Sequence, residues 1–278
     1  MASPVQISVA QLNRLVGTPG SPILIDVRID EDFTDDPRIL PAAIRHPHQT
    51  IDTLIPEYRE KSVVVYCQKG LKLSSGAAAI LRAGGVNAES LEGGHFAWRD
   101  ADNDLTNYSK IPWATPQSTS DTNNGHYTAS SLWVTRLRPK IDRIACPWLI
   151  RRFIDRNARF LYVASADVKP VAEKFNATPF DIEDTFWSHR GDQCTFDTML
   201  HEFGLTSPAL KQLATIVRGA DTDNHSLAPE SSGLLAASLG LSRMYSDDLQ
   251  QLDAGMLLYD AFYRWARDAT TEKHNWPS

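Results

Sequence analysis

The feature that most constrains this chain is an apolar run that ends at a cysteine and leads through a polar loop into an alanine-rich segment. Residues 63–66 are apolar and mostly β-branched, which is typical of a strand buried on both faces of a parallel sheet. Residues 74–82 have the alanine and leucine content of a helix. Cys67 is therefore predicted to lie where a strand ends and the chain turns into the start of a helix.

The predicted position of Cys67 favours a reactive thiol. Backbone N–H groups of such a loop point inward, and the dipole of the following helix adds partial positive charge. Lys69 and Lys72 add two full positive charges nearby. All of these stabilise a thiolate, which is the nucleophilic form of cysteine. The alternative, which the loop alone leaves open, is an inert and half-buried cysteine at a strand end.

Two further motifs flank the cysteine loop along the chain. Residues 23–28 read Ile-Leu-Ile-Asp-Val-Arg, and residues 91–98 read Leu-Glu-Gly-Gly-His-Phe-Ala-Trp. In this order and spacing, over residues 5–105, the three motifs resemble the rhodanese (sulfurtransferase) family. The resemblance implies an α/β domain in which helices flank a parallel sheet.

The same resemblance implies a chemistry for the loop. Cys67 would accept sulfane sulfur from a donor such as thiosulfate, hold it as a persulfide and pass it to a thiol or to cyanide, and sulfur transfer would require no cofactor. The anion cradle would be formed by the amides of Gln68, Lys69, Gly70, Leu71 and Lys72.

The loop departs from the family pattern at its sixth position. Many rhodaneses have arginine there, whereas this chain has Lys72. A lysine is a point charge and cannot bind an oxyanion through two parallel hydrogen bonds. Thiosulfate is therefore expected to be a poor donor, and a protein or small-molecule persulfide a better one. A phosphatase loop is one residue longer and ends in arginine, where Leu73 stands here, so we reject phosphatase activity.

Charged residues at the end of the first predicted strand (residues 23–27) are further candidates. Asp26 and Arg28 lie at its carboxyl end, the sheet edge where ligands usually bind in open α/β sheets. We expect Asp26 to pair with Arg28, and we also consider Arg28 a candidate for attracting an anion. The acidic stretch 30–36 is expected to be a solvated surface loop, and residues 51–58 are expected to be helical.

Length, charge and cysteine usage limit the remaining possibilities. At 278 residues the chain is long enough for two domains. The net charge of -6 argues against a large nucleic-acid surface. We expect no signal peptide, and the sequence has no uninterrupted apolar run of membrane-spanning length. The three cysteines, Cys67, Cys146 and Cys194, are far apart in sequence, which fits free thiols in a reducing compartment. We expect a cytoplasmic protein without nucleic-acid or membrane partners.

A polar stretch almost without aliphatic residues divides the chain. Residues 114–130 have the composition of a linker. We therefore predict a rhodanese-like domain over residues 1–113, a linker over 114–130 and a second domain over 131–278. In the second domain we predict strands over 132–136 and 160–163, a helix beginning near Asp142, and helices over 210–218, 234–241 and 249–267.

The second domain resembles the C-terminal domain of the chromate-resistance protein family ChrB. The resemblance lies in residues 142–148, 189–197, 218–222 and the terminal helices through residue 277. It implies a mainly α-helical (α+β) domain concerned with chromate, which makes chromate a possible ligand. In the regulators of that family a basic DNA-binding region precedes this domain. A rhodanese-like domain stands in its place here, so we discount transcriptional regulation.

Histidine and carboxylate side chains are concentrated in three short segments of the second domain. They are ligand types that Mn, Fe or Zn ions take in proteins. The alternative is a structural network in which the acidic residues pair with arginines. Cys194 is a candidate metal ligand, a second sulfur acceptor or an ordinary buried thiol, and Cys146 is expected to be structural. The candidate metal ligands are His189, His201, Glu202, Asp221 and Asp223.

Two hypotheses about function follow. The first is a sulfurtransferase that carries persulfide sulfur on Cys67 and is coupled to a chromate-resistance domain with a metal site. The alternative is a non-catalytic protein that senses or binds chromate or a metal, with the rhodanese-like domain serving as a redox or docking module.

Overall fold

The computed structural model describes residues 5–113 and 130–272. The chain forms two compact units. The first comprises Met1–Leu132, Ile150–Arg159 and Glu202–Gly204, and the second comprises Trp133–Leu149, Phe160–His201 and Leu205–Ser278. All but the last residue of the predicted linker lies outside the described residues, and the predicted domain bounds stay a prediction.

The first unit is built on a parallel sheet, as predicted. Its strands are β1 (Gln6–Ile7), β2 (Ile23–Asp26), β3 (Arg38–Ile39), β4 (Ile44–Arg45), β5 (Ser62–Tyr66), β6 (Asn87–Leu91) and β7 (Thr106–Asn107). Five of them lie side by side in the order β1-β6-β5-β2-β4, with parallel pairing throughout. Strands β3 and β7 form a separate antiparallel pair. Since Asp26 pairs with Tyr66 in register, β2 and β5 end together at one sheet edge, directly before Cys67.

The helices of the first unit are short, apart from the one that follows Cys67. They are α1 (Val9–Leu15), α2 (Asp30–Asp35), α3 (Ile55–Tyr58), α4 (Lys72–Ala83) and α5 (Gly94–Asp100). Ser8 caps α1 in a capping box with Gln11. The predicted surface loop at 30–36 is wrong, because it contains α2. The three acidic residues in the first turn of α2 suit the positive end of a helix dipole. The predicted helix over 51–58 is a 3-10 helix (His48–Leu54) followed by α3.

Strand β5 and helix α4 form the centre of this unit. Val63, Val64 and Val65 are each at most 1% exposed, as expected for a strand covered on both faces. Ala77 and Leu81 of α4 pack in the same buried cluster as Val65 and Cys67. Each fully buried valine or leucine side chain contributes about 1.5–3 kcal/mol to folding. This packing fixes the start of α4 relative to the end of β5.

The second unit is mainly helical, again as predicted. Its strands β8 (Leu132–Arg136), β9 (Arg159–Val163) and β10 (Thr178–Pro179) form a sheet in the order β10-β8-β9. Its helices are α6 (Asp142–Leu149), α7 (Val168–Phe175), α8 (Thr195–Phe203), α9 (Pro208–Asp221), α10 (Ser231–Met244) and α11 (Asp248–Asp268). Among the described residues, no helix has both the length and the apolar character needed to cross a membrane.

Aromatic packing joins the helices of the second unit. Trp148 is fully buried, stacks on Phe196, contacts Tyr263 and donates a hydrogen bond from Nε1 to Asp260 (2.8 Å). A Cβ atom at Gly255 would lie 2.5 Å from Ile144, so glycine there lets α11 approach α6 closely. This packing fixes the start of α6, where Asp142 lies.

Candidate functional site

Cys67 follows the last residue of β5 and faces the first turn of α4. The residue is 4% exposed, and its Sγ lies 3.3 Å from the Oγ of Ser74. Ser74 is fully buried, and its hydroxyl donates to the carbonyl oxygen of Leu71 (3.2 Å). In the thiol form, the Cys67 S–H group is thus placed to donate to Ser74, while a thiolate would accept from the Ser74 hydroxyl after it rotates. Ser74 was not among the residues predicted from the sequence, although its place on the inner side of the predicted helix was a usable signal.

The loop between Cys67 and α4 requires glycine at its centre. Gly70 has a φ of +66°, and a Cβ atom there would lie 2.6 Å from the carbonyl oxygen of Leu91 and from the nitrogens of Gly93 and Gly94. Only glycine fits both constraints. None of the backbone N–H groups of residues 68–72 donates a hydrogen bond to an acceptor in the described part of the chain. Five donors of one short loop therefore remain available to an anion.

The motif after β6 braces the cysteine loop. The N–H of His95 donates to the carbonyl oxygen of Cys67 (2.9 Å), and the N–H of Phe96 donates to that of Gln68 (3.0 Å). A Cβ atom at Gly94, where φ is +60°, would collide with the Cys67 carbonyl oxygen. The start of α5 thus holds the backbone of Cys67 and Gln68 from one side.

Two positively charged side chains lie on the cysteine loop. Lys69 and Lys72 are exposed, and neither forms an ion pair with a described residue. Leu71 is 62% exposed between them. The two ammonium groups therefore add positive potential at the loop.

His95 forms a buried pair with Asp36 that the sequence analysis did not anticipate. Its Nε2 lies 3.1 Å from Asp36 Oδ2 and its side chain is fully buried. Burial and the charge of Arg28 lower the pKa of His95. Burial alone would raise the pKa of Asp36, but hydrogen bonds from Arg38 and His95 outweigh it and hold that pKa well below its usual range. The pair is therefore a neutral imidazole donating to a carboxylate.

The guanidinium of Arg28 forms hydrogen bonds inside the first unit. Its guanidinium donates to both carboxylate oxygens of Asp26, with the shortest contact at 2.6 Å, and to the carbonyl oxygens of Asp36 and Arg38. Both side chains of the Asp26–Arg28 pair are fully buried. The expected pairing of Asp26 with Arg28 is present. We do not assign Arg28 to the anion site, because its donors are taken up inside the fold.

In the second unit, one imidazole lies among three carboxylates. The Nε2 of His189 is 3.2 Å from Asp221 Oδ2, 3.5 Å from Asp142 Oδ2 and 3.5 Å from Asp181 Oδ1. Asp142 begins α6, Asp221 ends α9, and Asp181 follows β10. The ligand atoms of Asp142, His189 and Asp221 lie within 4.8 Å of one another, so this Asp/His/Asp group, of which Asp142 is the buried member, could hold a metal.

The carboxylates at the base of this cluster differ in their partners. Asp142 is 1% exposed; its Oδ2 accepts the N–H of Thr195 (2.5 Å), while its Oδ1 has no hydrogen-bond partner among the described residues. Asp181 accepts from the Thr195 hydroxyl (3.0 Å) and from Arg136 (3.0 Å), and it forms an ion pair with Arg143 (3.3 Å). A buried carboxylate oxygen without a donor is costly unless a cation or a proton satisfies it.

The protonation states follow these contacts. Burial, with the nearby charges of Asp221 and Asp181, raises the pKa of Asp142 well above its ordinary value. Hydrogen bonds to Asp181 and Asp221 raise the pKa of His189 to about 10. Burial alone would raise the pKa of Asp181, but His189, Arg136 and Arg143 together lower it. Without a cation, protons on Asp142 and His189 offset part of the charge of the cluster.

The structure brings together two of the five predicted metal ligands, His189 and Asp221. His201 is exposed on α8, Glu202 pairs with Lys110 (3.0 Å), and the Asp223 side chain is 94% exposed. We correct the ligand set accordingly, because neighbours in sequence diverge once a helix ends or turns its other face. Asp142 and Asp181 were not predicted as ligands. Asp142 suits a helix N-terminus, and because that explained the residue, it was not included among the candidate ligands.

The two cysteines of this unit are buried thiols. Cys146 and Cys194 are both fully buried. Burial, together with the charge of Asp142, raises the pKa of each well above the ordinary value. A protonated thiol is a poor metal ligand and a poor nucleophile. Close by, Asp197 pairs with Arg218 (2.8 Å) and accepts the N–H of Cys194 (3.1 Å), so Asp197 belongs to a structural ion pair.

Two family models match the chain, one in each half. Residues 8–101 match the family described as Rhodanese-like domain, and residues 133–266 match the family described as ChrB, C-terminal domain. Protein ChrB of Cupriavidus metallidurans is 34% identical over 132 residues, which cover 47% of this chain and 39% of that protein. The chain thus spans well under half the length of that relative.

Solved structures resemble parts of this chain. A rhodanese-like domain protein from Staphylococcus aureus is 28% identical with a TM-score of 0.29, covering 34% of this chain and 89% of its own. A rhodanese-related protein from Thermoplasma volcanium is 23% identical (TM-score 0.30; 37% and 97% covered). A protein of unknown function from Rhodopseudomonas palustris, described as a possible tyrosine phosphatase, is 23% identical (TM-score 0.32; 36% and 83% covered).

Proposed function

Because the chain joins a rhodanese-like domain to a domain of the ChrB C-terminal family, we propose that it is a sulfurtransferase that carries sulfane sulfur as a persulfide on Cys67. The observation that carries this proposal is the loop directly after Cys67, in which five backbone N–H groups have no acceptor among the described residues. Such a loop at a helix N-terminus binds and stabilises an anion. Lys69 and Lys72 strengthen the same field.

The proposed reaction has two displacement steps. The Cys67 thiolate attacks the outer sulfur of thiosulfate, a sulfur–sulfur bond forms, and sulfite leaves with the electron pair of the bond that breaks. A nucleophile then attacks the outer sulfur of the persulfide, giving thiocyanate from cyanide or a new persulfide from a thiol, and the thiolate is restored. The loop amides stabilise the anionic sulfur in both steps.

Access and charge select among the sulfur donors. Cys67 is only 4% exposed, which favours small donors over bulky ones. Lys72 offers a point charge where a guanidinium would bind an oxyanion through two bonds. We therefore propose a small-molecule persulfide as a better donor than thiosulfate. The expected partners do not include nucleic acids or membranes.

We propose further that the second domain binds a divalent metal ion, with Mn, Fe or Zn as candidates. The supporting observation is the buried Oδ1 of Asp142, which has no partner among the described residues and belongs to the Asp142, His189 and Asp221 group. Carboxylate and imidazole ligands suit these metals. Metal analysis of the purified chain tests this proposal: about one equivalent bound supports it, and a metal content equal to that of the His189→Gln variant contradicts it.

Sulfur transfer is tested by turnover from thiosulfate and from a low-molecular-weight persulfide to cyanide. We expect Cys67→Ser to abolish turnover with both donors while the circular dichroism spectrum stays unchanged. Cys194→Ser, which alters a thiol of the other unit, is the matched control and should keep full activity. Equal turnover in wild type and Cys67→Ser would contradict the proposal.

Absence of turnover in wild type would favour the alternative, in which the chain senses or binds chromate or a metal without catalysis. The ChrB C-terminal match is the observation behind that alternative. In that case the rhodanese-like domain would serve as a redox or docking module. Binding of chromate to the full chain, measured by equilibrium dialysis, distinguishes the two.

A further inference from the structure

The cluster around His189 has a closed side and an open side. The side chains of Asp142 and Asp181 are 1% and 7% exposed and form its base. The side chain of His189 is 40% exposed and that of Asp221 is 19% exposed. Solvent therefore reaches the cluster from the side of His189 and Asp221.

Asp181 lies next to His189, but we do not count it as a fourth metal ligand. Its Oδ2 accepts from Arg136 and forms an ion pair with Arg143, and its Oδ1 accepts from the Thr195 hydroxyl. Asp142 differs, because its Oδ1 is buried and has no partner in the described part of the chain. The protein thus offers a cation three ligands, from Asp142, His189 and Asp221.

Three protein ligands leave a divalent metal incompletely coordinated. First-row divalent ions take about four to six ligands in proteins. Closed structural sites supply them all from side chains, whereas open sites keep positions for water or substrate. Cys146 and Cys194 are buried thiols and do not complete this set. The remaining positions fall on the exposed side of the cluster.

The charge of the loaded cluster decides what fills these positions. The three carboxylates and the two guanidiniums of Arg136 and Arg143 leave one net negative charge when His189 is neutral. A divalent ion changes this to one net positive charge, and the ion is then the largest local charge. Arg136 also has a buried Nε–H without a partner among the described residues. An anionic ligand therefore suits the open positions better than a neutral one.

We propose that the Asp142, His189 and Asp221 site takes a small oxyanion as a ligand of its metal, on the side open to solvent. This inference rests on the proposed metal binding and adds to it the chemical class of the second ligand. Sulfate is a suitable probe, since it is a tetrahedral dianion that does not oxidise thiols.

The test uses the full chain treated with EDTA and then loaded with Mn²⁺. Electron paramagnetic resonance reports free Mn²⁺, and the water-proton relaxation rate reports exchangeable water on the bound ion. We expect bound Mn²⁺ to enhance relaxation, and sulfate to reduce this enhancement about twofold or more at constant ionic strength, with chloride as the comparison. Asp221→Asn should weaken Mn²⁺ binding at least about tenfold. Asp223→Asn, two residues away and exposed, should bind Mn²⁺ as wild type does.

The possible results separate the two claims. Mn²⁺ binding with an enhancement that sulfate leaves unchanged overturns the oxyanion ligand alone, and so does binding without exchangeable water. Failure of wild type to bind Mn²⁺, Fe²⁺ or Zn²⁺ overturns the proposed metal function and the inference with it. Arg136→Gln removes one positive charge close to the cluster, and it should bind Mn²⁺ but require several-fold more sulfate. The exposed Arg243→Gln is its control, and an equal sulfate dependence in both variants counts against the inference.

Discussion

The hydroxyl oxygen of Ser74 lies 3.3 Å from the sulfur of Cys67, in a fully buried position on the first turn of α4. This contact links the proposed sulfur carrier to the helix whose N-terminus faces it. Ser74 is therefore a positioning residue, which holds the sulfur beside the loop amides and donates to it when it is a thiolate.

Replacement of Ser74 by alanine should slow the reaction of Cys67. One hydrogen bond to a charged acceptor contributes about 1.5–3 kcal/mol, and we expect the rate of alkylation by iodoacetamide at neutral pH to fall by about tenfold or more. Ser75→Ala, on the exposed side of the same turn, is the control and should react at the rate of wild type. Equal alkylation rates for Ser74→Ala and wild type would contradict the assignment.

Two glycines near the loop should respond oppositely to alanine. At Gly94 a Cβ atom would collide with the Cys67 carbonyl oxygen, and φ is +60°. Strain in the left-handed region alone costs about 1–2 kcal/mol, so Gly94→Ala should destabilise the chain by more than that. Gly76 lies in α4 with no atom within 4 Å of a new Cβ, so Gly76→Ala should stabilise it by about 0.5–1 kcal/mol. Urea unfolding measures both, and equal effects would count against the loop geometry.

The Asp26–Arg28 pair should matter for stability and not for donor binding. Removing one partner of a buried ion pair costs about 3–5 kcal/mol, and Arg28→Ala should lower the free energy of unfolding by that order. Arg28→Lys keeps the charge but loses the bidentate contact, and should fall in between. Arg59→Ala, at an exposed position, is the control. If Arg28→Lys raised the KM for thiosulfate without loss of stability, Arg28 would belong to the anion site after all.

In EDTA-treated protein, His189 and His95 should give the free energy of unfolding opposite dependences on pH. The pKa of His189 is raised from 6.5 to about 10. Its contribution to stability is therefore fully present below pH 6.5 and is lost as the pH rises towards 10. His189→Gln should accordingly lose stability at pH 6 and little at pH 10. NMR of the imidazole resonance gives the pKa directly, and a value near 6.5 would contradict the contacts with Asp181 and Asp221.

His95 should show the reverse dependence. Its pKa lies below the ordinary value of 6.5, so the unfolded chain binds this proton more readily, and stability falls as the pH drops below 6.5. The pKa of Asp36 is also lowered, so its contribution to stability begins to be lost only when the pH falls below the ordinary aspartate pKa of 3.8. The loss of stability between pH 7 and 5 should be smaller in His95→Gln than in wild type. A His95 imidazole that titrates at or above pH 6.5 would refute this.

The parts of the molecule that sequence predicts well are those set by local pattern. The valines of β5 favour a strand and the alanines of α4 favour a helix. The glycine of the loop permits the left-handed turn between them. The order β1-β6-β5-β2-β4 also agrees with the parallel sheet that the three motifs imply.

The candidate metal group could not be predicted as well, because its members meet only through tertiary packing. Asp142, Asp181 and Asp221 are far apart in the chain and lie at the ends of different elements. Asp223 lies two residues after Asp221, and His201 lies on the same helix as Thr195, but both side chains are exposed. Spacing along the chain indicates which residue types are available, and only the packing of α6 against α9 and α11 determines which of them converge.

The most direct test of the account is mass analysis of the peptide that contains Cys67 after brief treatment of the full chain with a small-molecule persulfide. We predict one added sulfur atom on Cys67, none on Cys146 or Cys194, and its complete removal by cyanide with release of thiocyanate. A Cys67 peptide of unchanged mass, or an added sulfur that cyanide cannot remove, would contradict the claim that this cysteine carries sulfur for transfer.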